Sequence, residues 1–244
     1  MIDAATTLDA LREGRIEVIG RIVGSSNNAL FVTVTRDCPD PEPPIVLEAV
    51  YKPTAGERPL EDFPDGTLSR REVAAWLVSE ASGWGIVPPT VLRQGPFGIG
   101  MVQAYIEADP AVDVVAMILE DDPRLRRMAA FDAAVNNTDR KGGHILPVDG
   151  GHRIHGVDHG VCFSAVPKLR TVLWGWRGTA FAADELVGLE RVRDAVAGPL
   201  ADELTDLLSP LEVEATQRRV DRLLSSGRFP LPSASWPSIP WPPY

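Results

Sequence analysis

The sequence predicts an α+β fold built from two parts of different character. Five short segments of alternating or β-branched apolar residues lie within the first 106 residues, around one amphipathic helix. The remainder shows mainly helical spacing of its apolar residues. A chain of 244 residues is long enough for one large domain or two small lobes. These observations predict a compact protein with an antiparallel-sheet N-lobe and a mainly helical C-lobe.

The N-lobe follows from its segments in chain order. A short helix at 6–13 opens the chain, with Leu8 and Leu11 on one face. A Gly-, Ser- and Asn-rich turn at 24–28 separates the first two strands. One longer amphipathic helix at 69–82 follows the third strand. The predicted strands are 16–19, 30–34, 45–51, 88–92 and 100–106.

The second part contains helices, a short hairpin region and a tail. Short strands surround the Gly- and His-rich stretch 142–163. The last 16 residues hold six prolines with Trp236 and Trp241, which excludes helix and central strand there. The predicted boundaries are an N-lobe at 1–106, a C-lobe at 107–228 and a Pro/Trp-rich tail at 229–244. The predicted helices are 112–118, 124–135, 183–196, 200–207 and 211–224.

The overall charge excludes several classes of partner. Asp and Glu outnumber Lys and Arg by 34 to 24, so the net charge is −10. Such an acidic chain lacks the basic footprint that nucleic acid and anionic membrane surfaces require. No apolar run approaches the roughly 20 residues that span a bilayer, and the first residues lack a signal-peptide pattern. We therefore expect a cytoplasmic protein without a membrane span, whose oligomeric state the sequence leaves open.

One segment departs from this acidic background. From residue 140 to residue 180 there are six Lys or Arg and two acids, a local charge of +4. A locally basic, Gly-rich segment with histidine and aspartate suits a metal-bound phosphoryl group. A solvated surface loop with scattered charges is the alternative on composition alone. All four histidines and two aspartates lie in or beside one window, namely Asp139, His144, His152, His155, Asp158 and His159.

The order of residues in that window resembles known kinases. The chain reads N-T-D-R-K-G-G-H-I-L at 137–146 and H-G-V-D-H-G at 155–160. This is similar to the D-R-H-x-x-N and H-I-D-F-G motifs of phosphatidylinositol 3-/4-kinases and to N-x-D-D-H-x-x-N of HipA-type kinases. The match resembles most an actinobacterial phosphatidylinositol 3-/4-kinase-like group and covers about residues 20–163. It implies a two-lobed protein-kinase-like fold, here with a reduced C-lobe.

The resemblance implies roles for three residues of the window. Asp139 takes the place of the catalytic-loop aspartate, which accepts or orients the proton of an attacking hydroxyl. Asp158 takes the place of the metal-binding aspartate. His144 stands where the family has an asparagine as a second metal ligand. Because imidazole suits Mg²⁺ less well than an amide oxygen does, this departure favours Mn²⁺ or leaves Asp158 as the main Mg²⁺ ligand.

The N-lobe supplies the predicted nucleotide contacts. Lys52 in Y-K-P matches the family's F-K-P and would contact the nucleotide phosphates; a solvated strand-end charge is the alternative. Glu72 would pair with Lys52, or serve only as an acid near a helix N-terminus. The turn residues Ser25, Ser26, Asn27 and Asn28 would cradle phosphate oxygens, or form a plain hairpin turn. The adenine would meet the backbone near the hinge residues Gln103, Ala104 and Tyr105.

The predicted function is therefore that of an ATP- and Mg²⁺- or Mn²⁺-dependent kinase. It would move the γ-phosphate to a hydroxyl of an unidentified protein or small polyol. A kinase-like protein that transfers AMP, or that only binds nucleotide, is an alternative within the same fold. An alternative of another class is a scaffold, either with a Pro/Trp tail that engages a partner or packs on its own chain, or with zinc held by His152, His155, His159 and Cys162.

Overall fold

The computed structural model describes residues 3–22, 28–39 and 42–244 and has two lobes. The predicted α+β class is confirmed, with a five-stranded sheet in the N-lobe and most helices in the C-lobe. The elements in chain order are α1 (Ala4–Glu13), β1 (Arg15–Arg21), β2 (Leu30–Arg36), β3 (Ile45–Pro53), α2 (Leu68–Ser82), β4 (Thr90–Gly95), β5 (Gly98–Ala104), α3 (Val114–Leu119), α4 (Arg126–Val135), β6 (Ile145–Val148), β7 (Arg153–Gly156), α5 (Ala183–Val196), α6 (Ala201–Leu207) and α7 (Pro210–Ser226).

The N-lobe sheet has the strand order β1-β2-β3-β5-β4, with every neighbouring pair antiparallel. Alternate residues of β2 and β3 face the core, where Val32, Val34, Ala49 and Tyr51 have no exposed surface. Burial of this face fixes the register, since a one-residue slip would move every apolar side chain to solvent. The register in turn fixes Lys52 near the end of β3, opposite Met101 of β5.

Strands β4 and β5 differ from the prediction at their ends. We predict 88–92 and 100–106, whereas the strands run over Thr90–Gly95 and Gly98–Ala104. The two form a hairpin in which Gly95 is opposite Gly98. Pro88 and Pro89 lack the amide hydrogen that a ladder needs, so β4 begins only after them. The polar residues after Leu92 continue the strand because their backbone pairs with β5.

Helix α2 is held at both ends. The carboxylate of Glu57, in the loop before the helix, accepts hydrogen bonds from the amides of Leu68 at 3.0 Å and Ser69 at 2.8 Å. Gly83 ends the helix in the left-handed conformation with φ 72°. This loop carboxylate satisfies amides that a helix start otherwise leaves unpaired. The arrangement presents Glu72 of α2 toward the end of β3.

Helix α4 is the centre of the C-lobe. Its residues from Met128 to Val135 are all buried, and helices α2, α5 and α7 contribute to the same apolar core. Asn136 ends α4 with φ 53° and turns the chain directly into the segment that contains Asp139. A buried helix therefore anchors the start of that segment. No helix in the described parts of the chain is long and apolar enough to cross a bilayer.

Candidate active site

Three side chains from separate elements meet between the lobes. The Lys52 ammonium of β3 lies 2.8 Å from Glu72 Oε1 of α2 and 2.8 Å from Asp158 Oδ1, just after β7. The second oxygen of Glu72 accepts a hydrogen bond from the His159 amide at 2.8 Å. Glu72 therefore links the strand of the N-lobe to the loop of the C-lobe. Lys52 and Glu72, predicted as a pair, lie in direct contact.

The charges in this group stabilise one another. Burial alone would lower the pKa of Lys52, but Asp158 and Glu72 raise it above its ordinary value. The ammonium of Lys52 lowers the pKa of Asp158 well below its ordinary value, against the opposing effect of burial. Both groups are ionised at neutral pH. The Asp158 side chain is still 40% exposed, so a bound cation can reach it.

Asp158 adopts an uncommon backbone conformation. Its φ of 63° lies in the left-handed region, which is costly for a residue with a side chain. Contacts on both sides hold it there, since the Val157 carbonyl accepts from Arg140 at 3.1 Å and the His159 amide donates to Glu72. Such strain often occurs at functional sites, where the surrounding structure fixes one side-chain direction.

His144 lies beside Asp158. Its Nε2 is 3.4 Å from Asp158 Oδ2, and it is the last residue of a single helical turn at Gly142–His144. Burial lowers the pKa of His144 despite the attraction of Asp158, so the ring is neutral at pH 7. Its Nδ1 is buried without a hydrogen-bond partner among the described residues. A neutral imidazole nitrogen next to an ionised carboxylate is a donor pair that fits a divalent cation such as Mn²⁺.

Asp139 lies on the loop that follows α4. Its amide donates to Asn137 Oδ1 at 2.9 Å, and its carboxylate is 3.2 Å from the Lys141 ammonium. Asn137 is itself fixed, because its amide group donates to Asp132 Oδ1 at 3.0 Å. About a third of the Asp139 side chain, 32%, is exposed. The carboxylate is therefore held on a hydrogen-bonded loop and is open to solvent.

Arg140 connects the Asp139 loop to the Asp158 loop, a role that the sequence does not reveal. It is fully buried and binds both oxygens of Asp132 at 2.8 and 2.9 Å. It also donates to the carbonyls of His144 and Val157 and lies 2.6 Å from His159 Nε2. Burial opposes the charge, but Asp132 raises the pKa of Arg140. In the sequence, the one indication of a buried partner for Arg140 is Asp132, an aspartate within the apolar helical segment F-D-A-A-V.

His159 supports the loop from inside and faces no ligand. It has no exposed surface, and its ring packs edge-on against Phe131 at 5.5 Å. Burial and the charge of Arg140 lower the pKa of His159 far below its ordinary value. The ring is therefore neutral. It stands where the resembling kinases carry a phenylalanine, and it packs between the Phe131 ring and the Arg140 guanidinium.

The predicted phosphate-binding turn falls mainly outside the described residues. Ser25, Ser26 and Asn27 are among the residues that the structure does not describe. Asn28 is exposed, and its amide donates to the Gly56 carbonyl at 3.4 Å. The predicted contact of this turn with phosphate stays a prediction.

The predicted hinge residues are already engaged within the chain. The buried side chain of Gln103 donates to Thr90 Oγ1 at 2.8 Å. The amide of Ala104 donates to the Pro89 carbonyl at 2.9 Å, and that of Tyr105 to the Glu48 carbonyl at 3.0 Å. In the described part of the chain, the next three amides, at 106–108, donate no hydrogen bond. Backbone amides without a hydrogen-bond acceptor in the described chain thus begin one residue after the predicted hinge.

The basic segment 140–180 is largely neutralised by acids. Arg140 binds Asp132 and Lys168 binds Asp62, and both acids lie outside the segment. Within or beside it, Lys141 pairs with Asp139 and Arg153 with Asp149. Four of its six cations are thus paired. Acids from outside the segment thus pair with three of its cations, Arg140, Lys141 and Lys168, and its contact with a phosphoryl group stays a prediction.

The Pro/Trp tail packs on the chain's own surface beside the Asp139 loop. The Pro243 carbonyl accepts from the Gly142 amide at 2.8 Å, and the Tyr244 ring packs against Gly142. The Ser238 carbonyl accepts from the Thr171 amide at 3.0 Å and from the Trp174 indole at 2.9 Å. The two alternatives for the tail are binding to a partner and packing on its own chain. These contacts are intramolecular packing.

The zinc alternative finds no support. No three His, Cys, Asp or Glu side chains within the described ranges converge as a metal site. His155 Nδ1 lies 3.3 Å from the Ile86 carbonyl, and His159 contacts Arg140. Cys162 is buried, and burial raises the pKa of its thiol well above the ordinary value. The thiolate that zinc requires is therefore disfavoured.

A comparison of sequences assigns the family. No family model matches the chain. Protein Rv2133c of Mycobacterium tuberculosis is 41% identical to it, over 95% of this chain and 93% of the relative. The chain belongs to the family of Protein Rv2133c. Because near-complete coverage accompanies this identity, the Rv2133c family shares the fold described above.

A comparison of structures relates the fold to a kinase. The crystal structure of the Helicobacter pylori proinflammatory kinase CtkA superposes with a TM-score of 0.51, over 90% of this chain and 94% of that chain. The two sequences are 13% identical, a level at which likeness concerns the fold alone. The predicted two-lobed kinase-like fold is thereby confirmed for this Rv2133c relative. Closer kinship with phosphatidylinositol 3-/4-kinases stays a prediction.

Proposed function

We propose that this protein is an ATP- and divalent-metal-dependent phosphotransferase that moves the γ-phosphate to a hydroxyl. The contact of Lys52 with both Glu72 and Asp158 at 2.8 Å carries the proposal. Kinases require this combination, in which a strand lysine is oriented by a helix glutamate beside a metal-binding aspartate. A two-lobed kinase-like fold, in which these three residues come from both lobes, supports it.

Each charged group has a separate task in the proposed site. Lys52 binds nucleotide phosphates as a fixed positive charge, and Glu72 orients it. Asp158 and His144 hold Mg²⁺ or Mn²⁺, which neutralises phosphate charge when bound. The neutral state of His144 and the ionised state of Asp158 are those that metal ligation needs. Lys52 and Asp158, in contact at 2.8 Å without a ligand, would turn part of this contact toward a bound nucleotide and its cation.

Asp139 acts on the acceptor. Its carboxylate takes the proton of the acceptor hydroxyl as that oxygen bonds to the γ-phosphorus. The bond between the γ-phosphorus and the β,γ-bridging oxygen breaks, and ADP leaves with the bonding electron pair. Lys141, 3.2 Å from Asp139, orients this carboxylate.

The remaining nucleotide contacts belong to the N-lobe and the hinge. We place the phosphates under the turn of Ser25, Ser26, Asn27 and Asn28, and the adenine beside Gln103, Ala104 and Tyr105. The unpaired amides at 106–108 supply donors for the base. We assign 1–106 to the N-lobe, 107–228 to the C-lobe and 229–244 to the tail.

The acceptor is a hydroxyl of a protein or a small polyol. The resemblance to the phosphatidylinositol 3-/4-kinase-like group names lipid as another acceptor. A chain of net charge −10 offers little attraction to an anionic membrane surface, which favours an acceptor in solution.

Replacement of Asp139 tests the reaction. In Asp139→Asn, ATP binding in the presence of Mn²⁺ should remain within about twofold of wild type, while transfer falls by about 10²–10⁴-fold. Titration calorimetry measures binding, and γ-labelled ATP with a metabolite extract measures transfer to protein or small molecules. Asp149→Asn is the matched control, because Asp149 is an exposed acid paired with Arg153.

The position of the labelled phosphate in ATP distinguishes phosphate transfer from AMP transfer and from nucleotide binding without turnover. Transfer of an α-phosphate label to protein or product indicates that AMP is transferred. Binding of ATP without transfer of either label indicates a nucleotide-binding protein without turnover. Full transfer by Asp139→Asn would remove Asp139 from the proposed mechanism.

A further inference from the structure

A cavity lies in the C-lobe, away from Lys52, Asp139 and Asp158. It has a volume of about 640 Å³ and lies between the end of α4, helix α7 and the start of the tail. This volume is within the range of small-molecule sites, roughly 300–1,000 Å³. Most of its wall is apolar, from Ala133, Leu169, Trp174, Leu223, Phe229 and Leu231.

The charged residues of the cavity are all cations. Arg219, Arg222 and Arg228 line it, and no Asp or Glu does. In a protein of net charge −10, a cavity wall with three arginines and no acid is exceptional. The wall therefore combines an apolar surface with a positive potential.

Arg219 carries a charge that no carboxylate neutralises. Only 7% of the residue is exposed, and its guanidinium donates to the carbonyls of Ala134 at 3.0 Å and Ser164 at 2.8 Å. Burial and the nearby charge of Arg222 lower the pKa of Arg219 to about 10. Neutral carbonyls satisfy its hydrogen bonds but leave its charge uncompensated, so an anion nearby would stabilise it.

Arg222 is available for a ligand. It lies three residues after Arg219 on α7 and therefore on the same side of the helix. Its side chain is exposed and has no hydrogen bond or ion pair to any described residue. Arg228, also exposed, uses one donor on the Gly178 carbonyl at 2.9 Å. The remaining guanidinium donors face the cavity opening or solvent.

We infer that this cavity binds an anionic amphiphile, with its apolar chain against Leu223, Phe229 and Leu231 and its carboxylate or phosphate head beside the arginines. Apolar burial supplies most of the binding free energy, and the arginines select the charged head. The inference is independent of the proposed kinase activity, because none of the proposed catalytic residues lines the cavity.

Binding of a fluorescent fatty acid tests the inference on the full chain without nucleotide. We expect cis-parinaric acid to bind saturably and to be displaced by dodecanoate or dodecyl phosphate, with dodecanol much weaker. Whichever anion displaces the probe at lower concentration identifies the preferred head group. Absence of saturable binding, or equal displacement by dodecanol, would overturn the inference.

Two variants with matched controls locate the site. Arg222→Gln should weaken dodecanoate or dodecyl phosphate about fivefold, as for loss of an exposed charge contact, and leave dodecanol unchanged. Arg218→Gln, on the same helix but outside the cavity wall, is its control.

Leu231→Asp should abolish anion binding, because it places a carboxylate at the opening. Its control is Leu211→Asp, since Leu231 and Leu211 are 71% and 59% exposed and neither change disturbs the core. If the cavity variants bind dodecanoate and dodecyl phosphate as tightly as their controls do, the proposed site is refuted.

Discussion

At the scale of single residues, Arg140 connects more of the site than any proposed catalytic group does. It contacts both oxygens of Asp132, two backbone carbonyls and His159, with none of its side chain exposed. These acceptors come from α4, from the turn at His144 and from the residue before Asp158. The relative positions of the proposed acceptor base and metal ligands thus depend on one buried cation.

Replacement of Arg140 should be strongly destabilising. Arg140→Met leaves Asp132 as an uncompensated buried charge, and we expect the free energy of unfolding to fall by about 3–5 kcal/mol. Urea denaturation measures the change. Arg153→Met is the control, because its pair with Asp149 is more than half exposed on both sides and contributes at most about 0.5 kcal/mol. Equal midpoints for the two variants would contradict a structural role for Arg140.

His144 should determine metal preference. An asparagine oxygen suits Mg²⁺ better than an imidazole nitrogen does, so His144→Asn should raise transfer with Mg²⁺ relative to transfer with Mn²⁺. The ratio of initial rates in the two metals is the measurement, and it is insensitive to general loss of activity. An unchanged ratio would show that His144 does not ligate the metal.

At the scale of elements, the tail is coupled to the turn that precedes β6. A side chain at Gly142 would place its Cβ 2.1 Å from the Tyr244 ring, far inside contact distance. The neighbouring Gly143 has no atom within 4 Å of the corresponding position. An alanine at 142 therefore requires the Tyr244 ring to move, whereas an alanine at 143 does not.

The two glycines give a matched test of tail packing. Gly142→Ala should destabilise the protein by about 1–3 kcal/mol, because the tail must move. Gly143→Ala should change the free energy of unfolding by less than about 0.5 kcal/mol. In a Tyr244→Ala background, which removes the opposing ring, the cost of Gly142→Ala should largely disappear. A cost that persists without the ring would mean that the tail does not pack there.

Prediction of elements from sequence worked where periodicity is strong. The amphipathic helix predicted at 183–196 has those bounds in the structure, and α2 differs by one residue. Strand β4 lies two to three residues later in the chain than predicted, because its backbone pairs with β5 through the polar residues Arg93 and Gln94. Strand β5 lies two residues earlier than predicted. Periodicity reports burial of side chains, whereas strand ends depend on a partner strand.

At the scale of the whole molecule, buried histidine makes stability depend on pH. Burial lowers the pKa of His155 below its ordinary value near 6.5. The folded state therefore binds fewer protons than the unfolded state, and stability falls as pH decreases below 6.5. The contribution is at most about 1.4 kcal/mol for each pH unit.

Replacement of His155 should flatten this dependence. The melting temperature of His155→Gln should fall less than that of wild type between pH 7 and pH 5.5. Aspartates with lowered pKa values act only below pH 4, so they do not contribute in this range. His152→Gln, at an exposed position three residues earlier, controls for loss of an imidazole. Parallel melting curves for His155→Gln and wild type would contradict the assignment.

The charge of the whole chain illustrates the limit of reasoning from composition. The cations of segment 140–180 looked like a phosphate-binding surface, but acids as distant in sequence as Asp62 neutralise them. Arg219 and Arg222, in contrast, line a C-lobe cavity whose wall contains no Asp or Glu. Local charge counts do not include partners that folding brings from elsewhere.

The sequence by itself determined the α+β class and most elements, and its resemblance to kinases implied the pairing of Lys52 with Glu72. It did so because apolar periodicity and motif order are local properties of a chain. Only the tertiary structure decided the contact between Asp158 and Lys52, the burial of Arg140 on Asp132 and the C-lobe cavity lined by arginines. These depend on residues up to 106 positions apart meeting in one place, and such contacts follow from packing, which no local pattern encodes.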